Sequence, residues 1–243
     1  MNWSIVREIF RKDLQELSKN RYVLYSMTFL PCILVGVTLF NAYNSASNPS
    51  IGVAGLKLIV LSISQVVIII PAIISVMIGS TSVVIEKNNR SLEPLLATPI
   101  TDSELLTGKA LAPFVPALIL GFAAYAAIIV GVDALTYPTF HVYILPTTGM
   151  LYQMFVMTPL VGLFGTFVAL FISTKIKDVR AAQQVSMFAV LPLFFILLVG
   201  TILLTSTLPL LVVLTVILIV AVIGFARLTI SQFKRESILV SWK

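Results

Sequence analysis

Residues 181–226 read AAQQVSMFAVLPLFFILLVGTILLTSTLPLLVVLTVILIVAVIGFA, with no charged side chain between Arg180 and Arg227. A helix rises about 1.5 Å per residue and needs roughly 20 apolar residues to cross a hydrocarbon core of about 30 Å. The run is long enough for two crossings and too long for one. Thr205-Ser206-Thr207-Leu208-Pro209 supplies the turn between them, because proline cannot continue a helix and is tolerated only in its first turn. A basic residue stands at both ends of this hairpin, which puts both ends on one side of a membrane.

The same reading extends outward along the chain. Basic residues come in clusters: Arg7, Arg11, Lys12, Lys19 and Arg21; Lys87, Arg90 and Lys109; Lys175, Lys177 and Arg180; Arg227, Lys234, Arg235 and Lys243. Between successive clusters lies room for two spans, and only Lys57 falls on the opposite side. Loops rich in Lys and Arg stay cytoplasmic. The spacing predicts an all-α membrane protein with six transmembrane helices and both termini in the cytoplasm. The predicted spans are Tyr22–Tyr43, Leu58–Ile85, Ala110–Val132, Gly149–Ser173, Gln183–Leu204 and Leu208–Ala226. They form one transmembrane domain over residues 1–243, with residues 1–21 ahead of it and a loop at 86–109. Composition agrees: 58% of residues are apolar and 11% charged, where a soluble domain is about a quarter charged.

The net charge of +6 is explained by this topology and by anionic lipid, without invoking nucleic acid. A single cysteine, Cys32, excludes an intramolecular disulfide and a cysteine metal cluster; it reads as a small buried apolar side chain. The polar, charged flank before the first span is not expected to be a signal peptide. In that flank Trp3, Val6, Phe10, Leu14 and Leu17 recur at helical spacing, while Arg7, Arg11, Lys12, Asp13 and Glu16 fill the remaining arc. This predicts a basic amphipathic helix lying in the membrane interface, or packed on a partner protein by the same stripe.

No predicted span carries a charge near its middle, where proton relays and ion paths usually place one. Asp133 and His141 read as solvated residues at the outer end of span three and in the loop beyond it. Proton-coupled transport therefore lacks an obvious residue, although backbone carbonyls at broken helices can still bind sodium. Neither an H-E-x-x-H motif nor paired intramembrane carboxylates support hydrolysis, and no filter signature or charged ring marks a pore. No catalytic and no metal-ligating residues are assigned. Energy for uphill transport has to enter from outside the spans.

The loop between spans two and three reads EKNNRSLEPLLATPITDSELLTGK, from Glu86 to Lys109. Ser91 can cap a short helix over Leu92–Ala97, with Pro94 in its first turn and Thr98-Pro99 ending it. Thr101-Asp102-Ser103-Glu104 fits a capping box that opens the helix into span three. The short helix presents Leu92, Leu95 and Leu96 beside Glu93. Such a face docks in a partner's groove, or rests on the lipid surface.

This loop resembles that of type-2 ATP-binding-cassette permeases, the membrane subunits of one class of ATP-driven exporters. Glu86, Ser91-Leu92-Glu93, Leu95-Leu96-Ala97-Thr98-Pro99, Glu104-Leu105-Leu106 and Gly108-Lys109 stand where the family has an acidic start, Gly-Thr-Leu-Glu, two leucines, a small residue, Thr-Pro and a later Glu-Leu…Gly-Lys. The match departs at Arg90, usually glycine, and at Asn88, often acidic. The basic flank resembles the family's elbow helix. Arg180-Ala181-Ala182-Gln183-Gln184 followed by Leu191-Pro192-Leu193 is also similar to the family.

The resemblance implies a cytoplasmic coupling helix that inserts into an ATPase subunit. Glu86, Ser91, Leu92, Glu93, Leu95, Leu96, Thr98 and Pro99 would be the coupling residues, with Glu86 bracing the end of span two. The chain has no G-x-x-x-x-G-K-[ST] loop, so it is not expected to be an enzyme or to bind a cofactor itself. ATP and magnesium would be used by a separate ATP-binding-cassette ATPase. A second permease copy, most simply an identical one, would complete the path in the plasma membrane of a prokaryote. Pro31, Pro71, Pro116, Pro159 and Pro192 would bend spans. Ala123-Ala127-Gly131 and Gly165-Ala169 read as ordinary packing within the chain, permitting close helix contact. Ser62, Ser64, Gln65 and Gln153 are the candidate substrate-path residues, although serine in a span usually bonds its own backbone. The alternative class is an ATP-independent secondary carrier or channel.

Overall fold

The computed structural model describes residues 2–19, 21–47, 55, 58–60, 62, 65–89, 101–203 and 208–232. Seven helices organise them: α1 (Trp3–Lys19), α2 (Arg21–Ala46), α3 (Ile70–Asn88, entered through a 3₁₀ turn at Gln65–Ile69), α4 (Asp102–Phe140), α5 (Thr148–Ser173), α6 (Val179–Leu203) and α7 (Leu208–Gln232). Among the described residues α2 to α7 are long and apolar enough to cross a membrane. The fold is all-helical and multi-pass. Predicted spans one, three, four and six lie inside α2, α4, α5 and α7. Between α6 and α7, residues 204–207, which include Thr205, Ser206 and Thr207 of the predicted turn, lie outside the described residues.

Local chemistry explains where these helices begin and bend. Asn2 caps α1, its side-chain Oδ1 accepting the Ser4 N–H at 3.2 Å. Thr101 caps α4 with both halves of the capping box formed: its hydroxyl accepts from the Glu104 N–H, and Glu104 accepts from the Thr101 N–H at 3.0 Å. Pro71 sits in the first turn of α3, just after the 3₁₀ turn. Pro159 follows a π-helical stretch, Gln153–Met157, within α5. Each proline lacks the N–H that would close a regular turn, and each irregularity sits immediately before one.

Helix α3 is the hub. In its apolar window 72% of residues are buried, against 22% in α2 and α6 and 28% in α7. Its Ile70, Ile74 and Ile78 join a core with α2 and α4 that includes Met27, Ala117 and Ile128. Its Ala72 and Val76 join a second core with α5, α6 and α7 that includes Val168, Leu197 and Leu218. A helix apolar on every side belongs between other helices, and α3 divides the two cores.

Helices α3 and α5 approach closely. A methyl group at Gly165 would lie 2.7 Å from the Ala72 carbonyl oxygen and 2.9 Å from Ala72 Cα. Both are backbone atoms that cannot swing away. Gly165→Ala gains about 1 kcal/mol in a free helix, but here it is expected to lose roughly 1–3 kcal/mol through overpacking. The check is the thermal unfolding midpoint of the detergent-purified chain, and an unchanged midpoint would rule out this contact. Gly165 and Ala169 thus pack within the chain as expected, and Gly131 meets Leu39 of α2, whereas Ala123 and Ala127 lie on the exposed side of α4.

Three side-chain expectations are corrected. Cys32 is exposed on the outer surface of α2 rather than buried. Asp133 is only 9% exposed. Its Oδ1 accepts the backbone N–H groups of Ile144 at 3.0 Å and Leu145 at 3.1 Å, so it clamps the loop after α4 rather than sitting in solvent. Helix α1 buries Val6, Ile9, Asp13 and Leu17, while Trp3 is 67% exposed and Phe10 and Leu14 are half-buried. The buried face is rotated from the predicted stripe and includes a carboxylate. Exposed His141 agrees with its reading as a loop residue.

Candidate functional site

The segment singled out by the sequence hangs between the C-terminus of α3 and the N-terminus of α4. Asn89 closes α3, donating its N–H to the Ile85 carbonyl at 2.9 Å. Thr101 opens α4 as described. Ser91, Leu92, Glu93, Leu95, Leu96, Thr98 and Pro99 fall in residues 90–100, outside the described residues. Glu86 and the two roots of the loop are described, and their surroundings define the site.

Glu86 occupies the last turn of α3 and is 3% exposed. It contacts the ammonium of Lys109, which rises from the second turn of α4 and is equally enclosed. Lys109 Nζ also lies 3.4 Å from Asp13 Oδ2 of α1. Ser82, one turn before Glu86, donates to the same Asp13 oxygen at 3.2 Å. Lys12 adds a second ammonium, 3.0 Å from Glu86 Oε1 and 3.8 Å from Glu16 Oε1. One lysine from α4 and one from α1 therefore face carboxylates from α1 and α3.

Packing permits this meeting. At Gly108 a methyl group would lie 2.9 Å from both Cβ and Cγ2 of Ile9, so only glycine lets α1 settle against α4 at this level. Val83, Leu106 and Leu170 form a small apolar cluster among the adjoining turns of α3, α4 and α5. The start of α1 is fixed as well, because the Asn2 N–H donates to Oε1 of Glu104, the same carboxylate that caps α4. On the other flank of α3, Lys87 Nζ donates to the Thr174 carbonyl at 2.7 Å, and Asn88 Nδ2 to the Lys177 carbonyl at 3.0 Å.

The electrostatics follow from burial. Asp13 has its pKa raised, chiefly because burial disfavours the charged form. Lys109 opposes that shift and the Glu86 charge adds to it. Carboxylate oxygens of Asp13, Glu16 and Glu86 lie within 4.8 Å of one another, a spacing a cation could use. Lys12 and Lys109 already supply the compensating positive charge, so the donor set is that of an ion-pair cluster. The site can hold and transmit position.

Glu86 lies in the last turn of α3, and sequence reasoning assigned Asp13 and Lys109 no role. A signal was present: Asp13 continues the Val6–Ile9 spacing toward Leu17, and an acidic residue on an apolar face asks for a buried cation. Of the candidate path residues, Ser62 and Gln153 have described side chains. Ser62 donates to the Leu58 carbonyl at 2.8 Å, the backbone bond expected of a span serine. Ser64 and the Gln65 side chain lie outside the described residues. Gln153 is 6% exposed and opens the π-helical stretch, where the Thr158 hydroxyl donates to its carbonyl at 3.1 Å.

A family model described as ABC-2 family transporter protein matches residues 7–211, from α1 into the start of α7. No curated protein matches the chain.

Proposed function

Because the chain belongs to the ABC-2 family of transporter proteins, we propose that it is the permease subunit of an ATP-driven exporter, driven through residues 86–109 by a separate ATPase. The family consists of membrane permeases of ABC transporters, which normally work with an ABC ATPase subunit. The finer reading has two copies of this chain forming the substrate path. It places the basic ends of the helices in the cytoplasm of a prokaryotic cell, by the distribution of Lys and Arg. The exposed Trp3 and basic residues of α1 are suited to the lipid interface.

The observation that carries the coupling reading is how the loop is rooted. Its two ends belong to α3, the most buried helix, and α4, and a buried ion cluster joins those ends to each other and to α1. A push on a leucine face there would act on the bundle's hub. Ser91, Leu92, Glu93, Leu95, Leu96, Thr98 and Pro99 are proposed as the surface that takes the push, and Glu86 as the brace beneath it. Of the path candidates, Gln153 lies inside the helix bundle at an irregular turn, where π-helical stretches often mark functional positions.

The test is a gentle-detergent pull-down of this chain from its native cells. The co-purified material is then assayed for vanadate-sensitive ATP hydrolysis. A stoichiometric P-loop ATPase is the expected outcome. A chain that purifies alone, and moves solute across liposomes without ATP, would make it a carrier or channel.

A further inference from the structure

We propose that Lys109 is a positioning residue for coupling, pinning α1 to both roots of the loop so that α1, α3 and α4 respond as one piece. This rests on the ATP-driven reading above and deepens it by assigning α1 a part in the response. Three features carry the inference. First, Lys109 is 2% exposed and reaches carboxylates on two different helices, Asp13 of α1 and Glu86 of α3. Second, α1 is attached at separate points along its length: Asn2 to Glu104, Ile9 against Gly108, Lys12 to Glu86 and Asp13 to Lys109. Third, each root of the loop contributes one side of the pin, Glu86 from α3 and Lys109 from α4.

Anchoring alone does not need ions. Well-packed apolar residues generally hold buried helices as well as a buried ion pair does. An apolar contact can slide along a helix, but separating Lys109 from Asp13 leaves a buried carboxylate with no other salt bridge among the described residues. A displacement of residues 90–100 that pulled the ends of α3 and α4 apart would have to break the pin. One that moved them together would carry α1 along. The ion cluster therefore selects the second motion.

The experiment uses the full chain in nanodiscs with its co-purified ATPase, and reads amide hydrogen exchange in α1. Asp13→Asn is the mild variant, nearly the same shape without the charge. Lys109→Met is the severe one, and Asp13→Lys with Lys109→Asp restores the pair reversed. In the wild type, trapping with ATP and vanadate is expected to change exchange in α1 together with the ends of α3 and α4. In Asp13→Asn, α1 is expected to exchange at least about tenfold faster at rest and to stop responding to trapping. The reversed pair should recover both properties in part. Wild-type exchange and an intact trapping response in Asp13→Asn overturn the pin. Faster exchange with an intact response overturns the coupling role, leaving only docking. If the wild-type chain retains no ATPase, the ATP-driven reading fails instead. The resting exchange of α1 then still reports whether the pin exists.

Discussion

Lys109→Met is expected to lower the stability of the purified chain by about 3–5 kcal/mol, the usual loss when one partner of a buried ion pair is removed. Methionine keeps most of the apolar stem of lysine and removes the ammonium. Asp13 and Glu86 are then left in an enclosed site, where among the described residues the half-exposed Lys12 still reaches Glu86 and Asp13 has lost its salt bridge. Two carboxylates that close cannot both stay ionised cheaply, so one is driven toward its protonated form. The companion variant combines Lys109→Met with Asp13→Asn and Glu86→Gln. It should recover most of the loss, because a neutral cluster strands no charge. Thermal or denaturant midpoints in detergent measure both. A single variant as stable as wild type would show that the cluster is open to water.

The pH dependence has a definite sign. Burial already raises the pKa of Asp13 in the folded chain, with Lys109 opposing. An acid whose folded pKa lies above its unfolded value favours the fold most at pH below the unfolded pKa. That contribution is lost as pH rises through the folded one. Removing Lys109 removes the opposing charge and moves the folded value of Asp13 higher. The penalty of Lys109→Met should therefore shrink as pH falls through that window and be largest at neutral pH.

Much of the architecture was legible because a bilayer imposes simple rules. Charge-free runs and basic clusters fix how many helices cross, and Thr101 with Glu104 fixes where α4 begins. What escaped has one physical source, the meeting of residues far apart in sequence. Periodicity in residues 3–17 locates an apolar stripe, but it cannot say that the protein-facing side is turned toward Asp13. The nearness of Lys109 and the Ser82 hydroxyl make that burial tolerable. Asp133 read as solvated because charge prefers water, yet it satisfies two backbone N–H groups of the following loop. Cys32 read as buried because thiols usually are; α2 shows it to the surroundings, which in a bilayer are apolar anyway. At the candidate site, Glu86 was legible from the family resemblance. Its ties to α1 required the fold.

Leu95→Asp is expected to abolish ATP-driven transport while leaving the permease folded in the membrane. By sequence, residue 95 falls in the loop between predicted spans two and three rather than in a predicted span, so the fold is not expected to depend on it. In the proposed role its side chain is buried against the ATPase. Losing that burial forfeits about 1.5–3 kcal/mol. A carboxylate forced into the same apolar contact costs more, because it meets no partner charge. Together these should weaken the subunit contact by at least about 10²-fold, the equivalent of roughly 3 kcal/mol. The co-purified vanadate-sensitive ATPase should therefore disappear, and the thermal midpoint of the permease alone should stay at its wild-type value. Leu92→Asp should behave alike, since the predicted short helix puts both leucines on one face. The contrast with Lys109→Met is the decisive part. One variant strikes the fold beneath the loop and moves the midpoint, while the other strikes the loop surface and moves only the partner. Transport persisting at the normal rate in Leu95→Asp would sink the coupling assignment and favour an ATP-independent carrier.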